Sequence, residues 1–162
     1  MLVLGIDPGT ATTGYGFVRE SDGGELLALD YGVITTPAHT PMPERLLTIH
    51  TTLSRLIAQH QPQQVGIEQL FFGNNVTTGI TVAQARGVML LAIAQAGLRV
   101  QEYKPKEVKQ SVAGYGSADK IQMQVMIQQL LNLESIPRPD DAADALAVAI
   151  THLNATRFER MI

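Results

Sequence analysis

The first residues of the chain alternate between apolar faces. Leu2, Leu4 and Ile6 fall on one side and Val3, Gly5 and Asp7 on the other, a period of two that predicts a strand over Leu2–Asp7. Pro8-Gly9 ends it, and a second strand is expected from Gly14 to Arg19. A third runs from Glu25 to Thr35, entered through the Gly23-Gly24 turn. The short links make these three an antiparallel meander. Past Pro43 the period lengthens. Leu46, Leu47, Ile49, Leu53 and Leu56 form the apolar face of a helix from Pro43 to His60, which Gln61-Pro62 closes. Val65 to Gln69 is a short strand.

From Val76 to Ala96 the pattern is helical, and the second half is apolar nearly all round, so it needs cover on more than one side. In a chain this small the second cover is expected to be another subunit, making a homodimer. The most apolar stretch, Val88 to Ala96, is too short to span a bilayer, and no membrane role is expected. After Gly97 a fifth strand is predicted over Leu98–Tyr103, then a short helix over Pro105–Val112 and a Gly114-Tyr115-Gly116-Ser117 loop. A Gln-rich amphipathic helix follows from Asp119 to Leu131. Pro137-Arg138-Pro139 precedes a last helix from Asp140 to about Asn154. The whole, residues 1–162, reads as one α/β domain, a five-stranded mixed sheet covered by helices.

Composition narrows the chemistry. With no cysteine, disulfides, thiolate metal sites and thiol catalysis are excluded. The start of the chain lacks the charged and apolar pattern of a secretory signal, and a cytoplasmic location is expected. A net charge of -3 argues at first against a nucleic-acid partner. The basic residues are nevertheless uneven: Lys104, Lys106, Lys109 and Lys120 share a region whose only acids are Glu107 and Asp119. Divalent cations held by carboxylates would offset about four further negative charges.

The carboxylates stand in a telling pattern. Asp7 ends the first strand on the face of Gly5, and Glu68 ends the fourth on the face of Gly66, each after Gly-Ile. The glycines leave room for another element to approach that face. Asp141 and Asp144 lie three apart, about 60° around a helix, flanked by Ala142, Ala143 and Ala145. Asp140 reads as a cap or first-turn acid that suits the helix dipole. Should Asp7, Glu68, Asp141 and Asp144 meet, their repulsion demands a cation, and oxygen ligands alone suit Mg²⁺ or Mn²⁺. Two such ions would serve a phosphoryl displacement.

Together Leu4-Gly5-Ile6-Asp7-Pro8-Gly9, Gly14-Tyr15-Gly16, Ile67-Glu68-Gln69, Gln84-Ala85-Arg86-Gly87, Val108-Lys109-Gln110, Gly116-Ser117-Ala118-Asp119-Lys120 and Asp141-Ala142-Ala143-Asp144-Ala145-Leu146-Ala147 resemble the RuvC Holliday-junction resolvases. The blocks occur in family order from Met1 to about His152. The resemblance implies a ribonuclease H-like fold, a homodimer, and paired symmetric nicks in a four-way DNA junction. A branch-migration motor is a further expected partner. It maps the catalytic, metal-holding acids onto Asp7, Glu68, Asp141 and Asp144, with Asp141 the least fixed because some relatives carry His there. Two Mg²⁺ ions per site are implied, with Mn²⁺ able to substitute. Lys109 and Lys120 are implied to contact DNA, and Phe71 to stand near the junction centre. Arg86 faces either the DNA or the dimer. A basic tail found in some members is not seen after Arg160-Met161-Ile162. Two other readings are a non-catalytic junction-binding module and, from Gly5-Ile6-Asp7-Pro8-Gly9-Thr10 alone, an actin- or Hsp70-like ATPase.

Overall fold

The computed structural model describes residues 1–70 and 73–162. Its strands are β1 (Leu2–Asp7), β2 (Thr12–Glu20), β3 (Leu26–Thr35), β4 (Gln64–Glu68) and β5 (Val100–Tyr103). Its helices are α1 (Met42–His60), α2 (Val76–Gln95), α3 (Pro105–Ala113), α4 (Lys120–Leu130) and α5 (Asp140–Met161). The sheet order is β3-β2-β1-β4-β5. β1, β2 and β3 form the expected antiparallel meander, and β4 and β5 add in parallel beside β1.

The period of two in β1 assigns each residue to a layer. Leu2, Leu4 and Ile6, with Phe17, Val65 and Ile67, meet the apolar faces of α1 and α2. On the other side Val3 and Val18 meet α5 through Leu146, Ala147 and Ile150, and α3 and α4 flank that helix with Val108, Val112 and Ile127. These side chains are nearly all fully buried, so the central strands β2, β1 and β4 are covered on both faces.

On the α5 face glycines replace side chains at one level. Gly5 pairs with Gly16 on β2 and with Gly66 on β4, a row of three across adjacent strands. A Cβ on Gly5 would lie 2.1 Å from the Ala145 carbonyl oxygen and 2.6 Å from the Ala149 nitrogen. One on Gly14 would lie 1.9 Å from the Asp141 carbonyl oxygen. The helix backbone therefore rests on the strand backbones. Ala142, Ala143, Ala145 and Ala149 supply the small contacting residues, each with 0% exposure.

Predicted limits shift most at the end of α5, and by two residues at the starts of β2 and β5, the latter beginning at Val100 and not Leu98. α5 runs to Met161, not Asn154, because its last turns are tied to β2: Arg157 Nε and Arg160 Nη2 donate to the Glu20 carboxylate at 2.7 and 2.8 Å. β2 starts at Thr12, since Thr12 and Thr13 still pair with Thr35 and Ile34. α2 is a continuous helix of 20 residues, which by length and composition alone could cross a bilayer, unlike the shorter stretch weighed above. Its Ala85, Met89, Ala92 and Ile93 face is instead sunk in the core, while Val76, Ile80 and Leu91 stay exposed.

Gly5→Ala is expected to destabilise the fold by about 1–3 kcal/mol or more, because both clashing groups are backbone and cannot rotate away. Urea denaturation checks this. An unchanged midpoint would mean that α5 can lift from the sheet without cost.

Candidate active site

Asp7 and Glu68 end neighbouring parallel strands, one residue beyond the Ile6–Ile67 pair. Both project on the glycine face, where α5 lies. The helix enters at Asp140, and the Gly14 contact sets the Asp141 backbone directly beside the strand pair Asp7–Gly14. Asp144 follows one turn on. One carboxylate oxygen from each of Asp7, Asp141 and Asp144 lies within 4.8 Å of the others. Glu68 stands beside this set, lining one pocket with Asp7 and another with Asp144.

The electrostatics follow from this crowding. Burial, then the charge of Glu68 and the hydrogen bond to it, then Asp144 and Asp141, push the Asp7 carboxyl up to about 9. Burial also raises Glu68, opposed by its hydrogen bond with Asp7 and the charge of Lys109. Asp144 is pushed up to about 6 by burial and then by Glu68, against the pull of Lys120. Among the described residues no basic side chain forms an ion pair with any of these four acids. Clustered oxygen donors without a protein cation are the ligand set of a hard divalent metal ion, and the residues present fit one.

Beside the acids opens a cleft of about 280 Å³ whose lining includes Glu68, Asp144, Lys109 and Lys120. The structure thus brings both sequence-nominated lysines to the acids, Lys109 from α3 and Lys120 from the first turn of α4. α4 begins there because Asp119 caps it. Its carboxylate accepts from the Gln122 amide at 2.8 Å, and the Gln122 side chain accepts from the Asp119 amide at 2.9 Å. Arg86 does not line this cleft. Its guanidinium, 13% exposed, donates to Glu102 of β5 at 2.5 Å. Phe71 lies outside the described residues.

Asp140 takes the second of its two expected roles, a first-turn acid and not a cap. Pro139 holds the cap position, which leaves Asp140 as the first helical residue, with its side chain turned to three donors, Lys120, Arg138 and Gln124. Sequence reading passed over Arg138 and Gln124. The four-residue spacing of Lys120 and Gln124, which puts both on one helix face, was the available signal.

The family model for "Crossover junction endodeoxyribonuclease RuvC" matches residues 3–152. The chain is 60% identical over 152 residues to the crossover junction endodeoxyribonuclease RuvC of Chloroflexus aggregans, covering 94% of this chain and 92% of that one. It superposes on a solved Thermus thermophilus RuvC structure with a TM-score of 0.92, at 35% identity and with coverage of 98% and 97%. A second structure, of T. thermophilus RuvC in complex with a Holliday junction substrate, gives a TM-score of 0.90 at 33% identity, with coverage of 98% and 96%. The fold is the ribonuclease H-like one.

The raised carboxyls have a consequence for stability. A carboxyl whose folded pKa exceeds its unfolded one retains a proton that the unfolded chain has lost, so its stabilising contribution fades as pH rises through the folded value. For Asp7, at about 9, and Asp144, at about 6, both shifts act in that direction. Without divalent cations the melting temperature is expected to fall between pH 6 and 9, and Asp7→Asn should flatten that fall. Added divalent cation should stabilise more at pH 8 than at pH 6, since it displaces those protons. Melting curves with chelator and with metal test both signs; a metal-free profile that rises over this range would contradict the assignment.

Proposed function

The chain belongs to the family of crossover junction endodeoxyribonucleases, and from that premise we propose that it resolves four-way DNA junctions by metal-dependent phosphodiester hydrolysis. The observation that carries this is the meeting of Asp7, Asp141 and Asp144, with Glu68 beside them, drawn from three distant segments to the edge of a cleft that holds two lysines. A non-catalytic binding module would not need those acids together.

In this reading the four carboxylates hold two Mg²⁺ ions, for which Mn²⁺ can substitute. When bound, such ions stabilise the attacking and leaving oxygens of an in-line displacement. The chain's own part is to fix the acids rigidly, since two stand on sheet strands and two on a helix seated against that sheet. Lys109 and Lys120 line the same cleft and neutralise phosphates of the bound strand. Arg86, engaged with Glu102, serves to fasten α2 to β5. A cut in each of two opposed strands needs two sites, and a homodimer supplies them. The uncovered apolar residues Val76, Ile80 and Leu91 of α2 give that dimer its surface. The cytoplasm, where the DNA is, is the place of work.

The test is strand-resolved cleavage of a synthetic four-way junction with and without Mg²⁺. Paired nicks at symmetric positions, dependent on the metal, are expected. Binding without cleavage would favour the non-catalytic module.

Asp7→Asn, Glu68→Gln and Asp144→Asn should each lower cleavage by more than about a hundredfold, since even partners of metal ligands cost roughly 10–100-fold when altered. Junction binding, measured by fluorescence anisotropy in chelator, should persist in all three. Near-parental turnover in any one would remove that residue from the catalytic set.

Leu91→Glu places a charge on an exposed apolar site, 51% accessible in the single chain, so the monomer should fold normally. Sedimentation should show a weakened dimer. A concentration-independent monomer in the unaltered protein would defeat the paired-nick arrangement.

A further inference from the structure

The side chain of Asp140 gathers three donors on two oxygens. Lys120 Nζ lies 2.7 Å from Oδ2, while Arg138 Nη1 at 2.7 Å and Gln124 Nε2 at 3.1 Å both donate to Oδ1. A first-turn acid would gain from the helix dipole without any of them, so that role leaves this convergence unexplained. Gln124 is 5% exposed, which fixes it in the protein surface, and prolines on both sides of Arg138 restrict its backbone. The two cationic side chains remain 67% and 59% accessible, open to an incoming group.

We propose that Lys120, Arg138 and Gln124 form a DNA phosphate subsite next to the catalytic acids, and that in the free protein the Asp140 carboxylate occupies it in place of a phosphate. This deepens the nuclease reading and rests on it. A carboxylate and a phosphate diester both present anionic oxygens of similar spacing, and an Arg-Lys pair binds either. Lys120 also lines the cleft with Glu68 and Asp144, so a phosphate on this subsite belongs to the strand that enters the active site. Exposed ion pairs contribute little, so exchanging Asp140 for a phosphate is nearly free of cost for the cations. The displaced carboxylate then faces the phosphate and opposes binding. Asp140 thus lowers the affinity for DNA while keeping the cations in place between encounters.

The experiment measures binding of labelled linear duplex and four-way junction, in chelator, over a range of salt concentrations. Asp140→Asn, of the same shape, should bind both DNAs severalfold more tightly, with a log–log salt slope steeper by about one unit. Arg138→Ala, on an exposed segment, should bind more weakly with a slope shallower by about one unit. Melting temperatures near that of the parent show that both variants are folded. Equal or weaker binding by Asp140→Asn, or parental affinity and slope in Arg138→Ala, would overturn the subsite. If the parent neither prefers the junction nor cuts it with Mg²⁺, the proposed function fails, while the duplex comparison still decides the subsite.

Discussion

Everything at the active end depends on backbone-to-backbone contact between α5 and the sheet. An ordinary helix rides on side chains about a residue's width above its strands. Here Gly5 and Gly14 remove that spacer on the strands, and Ala145 and Ala149 remove it from the helix side. The Asp141 backbone then reaches the Gly14 backbone, next to the end of β1. Short acids can meet across such a gap; a layer of leucines would hold Asp141 and Asp144 too far from Asp7. The alanine-rich sequence of α5 thus reports packing distance as much as helix propensity.

That proximity has an electrostatic cost. Three carboxylates within 4.8 Å, with a fourth beside them, cannot all be charged in a partly buried site. Burial comes first in pushing the carboxyls of Asp7, Glu68 and Asp144 up, and for Asp7 and Asp144 the neighbouring charges add to it, so protons are retained in the bare protein. A divalent ion relieves it differently, since it adds positive charge where the protons had removed negative charge. The site is therefore preorganised for a cation by the strain it bears without one. The large burial of Ala142, Ala143 and Leu146 behind the acids keeps them from moving apart.

Much of this was readable in the chain. The repeated Gly-Ile-acid endings place Asp7 and Glu68 on one face of two strands, and the alanines around Asp141 and Asp144 announce a helix that can lie close. What the sequence could not supply were features made by contacts between distant segments. The last turns of α5 carry no apolar periodicity; they persist because Arg157 and Arg160 reach Glu20, 137 and 140 residues away. The partners of Asp140 lie on α4 and on the Pro-flanked turn, so local rules assigned it only to the helix end. The membrane-length apolarity of α2 arises from a long helix with one face in the core and another uncovered, and periodicity alone separates these poorly.

The net charge of -3 can now be placed against a DNA-binding role. Acids far from the cleft are largely cancelled where they stand: Glu20 by Arg157 and Arg160, Glu102 by Arg86. The negative charge that matters is the buried carboxylate group, and that charge varies with its protons and with bound metal. Lys109 and Lys120 stand beside it, so the field that a phosphate meets at the cleft depends on whether the carboxylates are neutralised. In the proposed nuclease, cation binding at the acids and phosphate binding at the lysines would help each other, since each would remove a repulsion the other meets. By reciprocity of coupled binding, DNA in the cleft should raise metal affinity by the same factor that metal raises DNA affinity. A protein of acidic composition can hold a polyanion on these terms because its charge is arranged around exchangeable occupants.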